Sequence, residues 1–135
     1  MRTAIIDLGT NTCNLLVAEV NSSDFKILHQ SKQLVKLGDD KIRENEISRE
    51  ATARTLQSFQ IHKKFIKKYN VEKVKVIATS AVRSAGNKIE FLEKISEESG
   101  WIVKVISGEK EAELIFKGVL LAIKEFKNPS IILDI

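Results

Sequence analysis

Ala4-Ile5-Ile6-Asp7-Leu8-Gly9-Thr10-Asn11-Thr12 is the stretch on which the reading of this chain turns. Three aliphatics lead into an aspartate and then into a short Gly/Thr/Asn loop, the layout of a buried strand that ends by presenting backbone N–H groups. Such a loop can close on an anion as a nest of amides. Without its context, Gly-Thr-Asn is more often only a hairpin turn. Ile131-Ile132-Leu133-Asp134-Ile135 repeats the aliphatic-aspartate part of the pattern and stops where a second loop would begin. The echo reads as half of a two-lobed phosphate site.

The segments around that loop set the fold class. Thr3 to Asp7 reads as a short buried strand, Leu8 to Thr12 as a tight loop and Cys13 to Val20 as a second strand with alternating faces. The turn cluster Asn21-Ser22-Ser23-Asp24 predicts an antiparallel return, Phe25 to Leu37, ended by Gly38-Asp39-Asp40. Helices and strands then alternate. Ser48 is placed to cap a helix running to about Tyr69, with Leu56, Phe59 and Ile66 along one stripe. Lys73 to Thr79 is a β-branched strand. Asn87 and Glu90 have capping-box spacing, and Gly100 suits the end of that helix. Trp101 to Ile106 reads as a strand. Gly108 opens a helix with Ala112, Phe116, Val119, Ile123 and Phe126 at helical period, stopped by Asn128-Pro129. The expected α/β architecture is a mixed five-stranded sheet, βββαβαβα, with flanking helices and one further strand over Ser130 to Ile135. Ligands in such sheets gather at the carboxyl ends of the strands. Asp7–Thr12, Thr79–Arg83 and Ser107–Glu111 all fall near strand ends.

Composition narrows the function classes. The chain has 135 residues, 43% hydrophobic and 30% charged, with a net charge of +4, which is ordinary for one globular domain. No apolar run approaches the ~20 residues that span a bilayer, and Met1-Arg2-Thr3 leads straight into a strand, so a cytoplasmic location is expected. Cys13 is the single cysteine, which excludes a disulfide framework and a cysteine-based metal site. Lys63, Lys64, Lys67 and Lys68 read as the solvated face of an amphipathic helix. Aromatics are few, at 6%, and do not alternate with basic residues, which argues against stacking on single-stranded nucleic acid.

Several residues carry candidate chemistry. Asp7, at the end of a buried strand, either meets a cation such as Mg²⁺ or caps the Gly9 turn. Gly9, Thr10 and Asn11 offer a permissive backbone with small hydroxyl and amide groups. Ser80 brings a hydroxyl just past a strand, and Arg83 either clamps a phosphate through paired N–H groups or forms a surface ion pair. Glu109 and Glu111 either answer the helix dipole or include a general base. Cys13 has no evident histidine partner, since His29 falls on the third strand and His62 on a lysine-rich helix, so a thiolate nucleophile is not expected.

Together, Ala4–Thr12, Ala78-Thr79-Ser80-Ala81-Val82-Arg83-Ser84-Ala85-Gly86-Asn87 and Val105-Ile106-Ser107-Gly108-Glu109-Lys110-Glu111-Ala112-Glu113-Leu114-Ile115 resemble the exopolyphosphatase/guanosine pentaphosphate phosphohydrolase (Ppx/GppA) family. That family belongs to the actin/sugar kinase/Hsp70 superfamily and has a ribonuclease H-like fold. The resemblance implies that residues 1–128 form the N-terminal lobe and 129–135 the first strand of a truncated second lobe. It implies Glu111 as general base, Asp7 and Asp134 as metal-associated carboxylates, and Gly9, Thr10, Asn11, Ser80 and Arg83 as the phosphate-binding set. Thr10 and Thr12 stand where the family often has serines. The implied reaction is Mg²⁺-dependent hydrolysis of a terminal phosphoanhydride in polyphosphate or pppGpp, with this piece alone inactive. The strand 131–135 is expected either to be mobile or to pair with a second copy, giving a homodimer. Two other readings stay open: the ATP-binding lobe of a kinase or ATPase of the same superfamily, and a non-enzymatic module for phosphate-rich anions or a protein partner.

Overall fold

A computed structural model describes residues 1–38 and 45–123 of the chain. Asp39, Asp40, Phe126, Asn128-Pro129 and the strand expected over 130–135, with Asp134, lie outside the described residues. In chain order the elements are β1 (Arg2–Leu8), β2 (Thr12–Val20), β3 (Phe25–Leu34), α1 (Arg49–Lys68), β4 (Lys73–Ala78), α2 (Ser80–Ser84), α3 (Lys88–Ser99), β5 (Val103–Val105) and α4 (Gly108–Ala122). The strands form one mixed sheet in the order β3-β2-β1-β4-β5. β1–β2 and β2–β3 are antiparallel; β1–β4 and β4–β5 are parallel. The expected architecture is therefore present, with α2 added. Five residues leave no helical period to read, so this turn of helix had no signal in the sequence.

Strand alternation assigns the faces. Ala4, Ile6, Leu8, Cys13, Leu15 and Val17 point to one side and are buried under α1 and α3. Ile5, Asp7, Asn14 and Leu16 face the other side, beside an open cleft shared with Gln30 and Lys32. α1 begins as expected, with the Ser48 hydroxyl accepting from the Ala51 amide at 3.1 Å. It buries Ala51, Thr55 and Phe59 at helical spacing, and the Thr55 hydroxyl bonds back to the Ala51 carbonyl at 2.9 Å. That back-bond is what lets a polar side chain be buried there. The Phe59 ring meets the Trp101 edge with centroids 5.3 Å apart, which joins α1 to the end of α3.

Several local expectations need correction. β3 ends at Leu34 rather than Leu37, because Lys36 adopts a left-handed conformation (φ 47°) that turns the chain out of the ladder. The fifth strand is Val103–Val105 rather than Trp101–Ile106, since Trp101 is occupied with Phe59 and lies under the Lys63 ammonium. Lys63 is thus not a solvated member of the lysine face; its Nζ also donates to the Ser99 carbonyl at 2.6 Å. Asn87 precedes α3 without capping it, its side chain bonding both the amide and the carbonyl of Ile47 at 2.9 Å. Gly100 does close that helix, with φ 74°. The apolar period of α4 is present, yet Phe116, Leu120 and Ile123 are exposed and none of the helix's residues is buried among those described. A helix apolar on more than one side needs more covering than this lobe supplies.

His62 is fully buried, with Nε2 3.2 Å from the Cys13 carbonyl and 3.4 Å from the Ser58 hydroxyl. Removal from water pushes its pKa down from the usual imidazole value, nearby His29 adds to this, and the Cys13 carbonyl opposes it. The unfolded chain therefore takes up a proton near pH ~6.5 that the folded chain refuses, so stability falls as pH drops below that point. We expect a lower Tm at pH 5.5 than at pH 7.5, with a smaller drop in His62→Gln. An equal drop in both proteins would remove His62 from the explanation.

Candidate functional site

Three parallel strands deliver three loops to one edge of the sheet. Leu8 pairs beside Ala78, and Ala78 beside Val105. The backbone keeps the exits together: the Thr79 amide donates to the Leu8 carbonyl at 3.2 Å, and the Ile106 amide to the Ala78 carbonyl at 3.0 Å. Gly9–Asn11, Thr79–Ser80 and Ile106–Ser107 thus leave the sheet side by side, the convergence expected from their positions at strand ends.

The direct contact within this set joins Arg83 and Glu111. Ser107 caps α4 through its hydroxyl, which accepts from the Lys110 amide at 3.1 Å, and this fixes Glu111 in the first turn. Arg83, in the last turn of α2, uses one nitrogen twice. Its Nη1 donates to the Ile106 carbonyl at 2.8 Å and to Glu111 Oε2 at 3.2 Å. Both side chains are partly exposed, 32% and 27%, so the pair adds little stability. Its consequence is geometric: the guanidinium fixes where the Glu111 carboxylate points. Nη2 lies 3.8 Å from where a side chain on Gly108 would begin, an ordinary contact, so the guanidinium runs alongside the start of α4.

The loop after β1 differs in detail from an amide nest. The Gly9 amide is spent inside the turn, donating to the Thr12 carbonyl at 2.9 Å. Gly9 is not in a left-handed conformation, and a Cβ there would make only an ordinary 3.4 Å contact. The permissive backbone expected of it is therefore not required by the fold. Thr10 and Asn11 are exposed beyond it. Thr10 and Ser80 line one cleft of about 240 Å³, together with Gly38, Asn45 and Ile47.

Asp7 is half-buried at the end of β1, beside Asn14 on β2 and Ile77 on β4. Asp134, the second carboxylate expected at a metal, lies outside the described residues. Among the described residues no three His, Cys, Asp or Glu side chains cluster as a metal cage. The other kind of site needs one hard oxygen from the protein, with water and phosphate supplying the rest.

Cys13 has a histidine neighbour after all, because α1 lays His62 against its carbonyl. The thiol is nevertheless no nucleophile: it is fully buried, and that burial pushes its pKa up to about 11.

Sequence reasoning missed the wall of the cleft. Gly38 approaches Thr10 so closely that a Cβ would sit 2.9 Å from its methyl group. Asn45, left-handed at φ 50°, accepts from the Gly86 amide at 2.7 Å and donates through its side chain to the Ser84 carbonyl. Asn tolerates that conformation better than most residues, which was the one available signal. No helix among the described residues is long and apolar enough to cross a membrane.

The sequence pattern of the Ppx/GppA phosphatase family matches residues 16–135. A bifunctional 3-dehydroquinate synthase/phosphatase of Fusobacterium nucleatum is 38% identical over 98% of this chain, which spans 21% of that protein. The crystal structure of the Aquifex aeolicus Ppx/GppA family member superposes with a TM-score of 0.84 at 31% identity, over 93% of this chain and 41% of that one. An exopolyphosphatase of Cytophaga hutchinsonii gives 0.83 at 37% identity, over 88% and 38%. The chain thus corresponds to less than half of each of these relatives.

Proposed function

This chain belongs to the Ppx/GppA phosphatase family, and on that premise we propose that the protein to which it contributes a lobe hydrolyses terminal phosphoanhydride bonds of inorganic polyphosphate or pppGpp. The observation that carries the reading is the Arg83–Glu111 contact at 3.2 Å, at the edge where the loop after β1 also emerges. Glu111 accepts the proton of the attacking water as its oxygen bonds to the terminal phosphorus, while the bridging P–O bond breaks and the shortened polyphosphate, or ppGpp, leaves with the bridging oxygen. Arg83 has five N–H donors. With Nη1 holding Glu111, the rest of the fork is available to the terminal phosphate, so one guanidinium ties base and substrate together. Thr10, Asn11 and Ser80 contact the phosphate oxygens through hydroxyl, amide and backbone groups, and Gly9 lets the chain approach. Asp7, with Asp134, would hold Mg²⁺, which supplies charge neutralisation on the phosphate oxygens.

Since this lobe provides one side of such a cradle, we infer that it is inactive alone. The full-length protein, supplied with Mg²⁺ and either substrate, should release orthophosphate while residues 1–135 should not. Equal release by the isolated lobe, or none by the full-length protein, would overturn this.

The tight approach of Gly38 gives a finer test. Gly38→Ala must displace the Thr10 side chain, and a misplaced substrate contact typically lowers kcat/KM by about tenfold or more. Adding Thr10→Ser removes the obstructing methyl, keeps the hydroxyl and should restore activity. A double variant no better than the single one would exclude Thr10 as the cause.

A further inference from the structure

We propose that Arg54 is a positioning residue for the loop after β1, acting through the backbone of Val35 and Lys36; the role in catalysis rests on the function proposed above. Arg54 sits on α1 at the flank of its buried face, one turn from Ala51 and from Ser58, and is half-exposed. Its Nε donates to the Val35 carbonyl at 2.8 Å and its Nη2 to the Lys36 carbonyl at 3.1 Å. The same two residues face the loop with their amides. Val35 and Lys36 both donate to the Asn11 carbonyl, at 2.9 and 3.1 Å, and Leu37 donates to the Thr10 carbonyl at 2.7 Å. The guanidinium, the 35–37 backbone and the Thr10–Asn11 carbonyls thus form one hydrogen-bonded relay.

Two amides from consecutive residues cannot converge on one carbonyl in an extended strand, where successive N–H groups point in opposite directions. The chain leaves the extended conformation here, and the left-handed turn at Lys36, φ 47°, lies just after that second amide, where it carries the Lys36 carbonyl to Arg54 and the Leu37 amide to the Thr10 carbonyl. A lysine adopts that conformation at a cost and keeps it only where its surroundings enforce it. Arg54 supplies that enforcement with a planar fork that grips both carbonyls, which a lysine's single ammonium cannot reproduce. Charge-assisted bonds of this kind are stronger than the neutral bonds they support. The loop is therefore held from behind, leaving its Thr10 and Asn11 side chains exposed towards a ligand.

The test uses the full-length protein with polyphosphate and pppGpp in Mg²⁺, and compares Arg54→Gln, Arg54→Lys and Leu56→Ala. Leu56→Ala is a control that loosens α1 packing without touching the relay. Arg54→Gln should raise KM by about tenfold, with kcat changed much less, since a displaced loop loses substrate contacts. Arg54→Lys should lie between it and wild type, and Leu56→Ala should leave KM unchanged. Hydrogen exchange reads the relay independently of activity: the Val35 and Lys36 amides should exchange faster in Arg54→Gln and not in Leu56→Ala. Unchanged exchange in Arg54→Gln, or an equal KM rise in both variants, would overturn the role of Arg54. A wild-type protein that hydrolyses neither substrate would instead defeat the function proposed above, with the exchange result still deciding the relay.

Discussion

Glu111→Gln in the full-length protein should lower kcat by roughly a hundredfold to ten-thousandfold, the usual contribution of a positioned general base. The substitution keeps side-chain volume and leaves the Ser107 cap of α4 intact, so the fold should be preserved. KM should change little, because the carboxylate meets the water rather than the phosphate chain. Arg83 loses a charged partner but keeps its 2.8 Å bond to the Ile106 carbonyl, so it remains in place. This separates the variant from Arg83 substitutions, which should raise KM as well. Near-normal kcat in Glu111→Gln would leave the Arg83–Glu111 contact as the ordinary ion pair that spacing alone allowed.

The largest effect on stability is expected at Phe59. Its side chain is fully buried between α1 and the sheet, packed edge-on to Trp101, and belongs to the cluster containing Ile6, Leu15 and Ile95. Phe59→Ala removes most of a ring from a close-packed site, at a cost of about 3–5 kcal/mol. Whole domains are stable by only about 5–15 kcal/mol, so the variant should stand near its unfolding threshold at room temperature. Urea unfolding should show a much lower midpoint. Ile102→Ala, at a side chain 86% exposed, should shift stability by less than about 0.5 kcal/mol. Similar midpoints for the two variants would mean that Phe59 is not part of the core that organises this lobe.

Long periodic elements were readable because burial imposes its own period. β1, β2, α1 and α3 lie within a residue or two of where alternation, capping serine and closing glycine place them. Short or strained elements had no such signature. α2 lacks the length to show a period, and the end of β3 depends on a left-handed lysine that no composition rule anticipates. Asn87 has the residue type and spacing of a cap, yet its amide is drawn to Ile47, a contact 40 positions away. The site was legible in the same uneven way. Chain order and strand ends placed Thr10, Ser80, Arg83 and Glu111 at one edge. The fold brings Glu111 to the Nη1 of Arg83, a contact across 28 positions that spacing does not show. Arg54, Gly38 and Asn45 stayed hidden because each acts through backbone atoms of residues distant in sequence. His62 was hidden for a related reason: a helix rich in lysine on one face still turns its other face to the core.

The most direct measurement follows the oxygen of water. The full-length protein, incubated with polyphosphate and Mg²⁺ in ¹⁸O-labelled water, should release orthophosphate carrying one labelled oxygen per phosphate, with the release rate lowered at least about a hundredfold in Glu111→Gln. Phosphate transferred to another acceptor without label, or labelled release undiminished in Glu111→Gln, would contradict hydrolysis by water activated at Glu111.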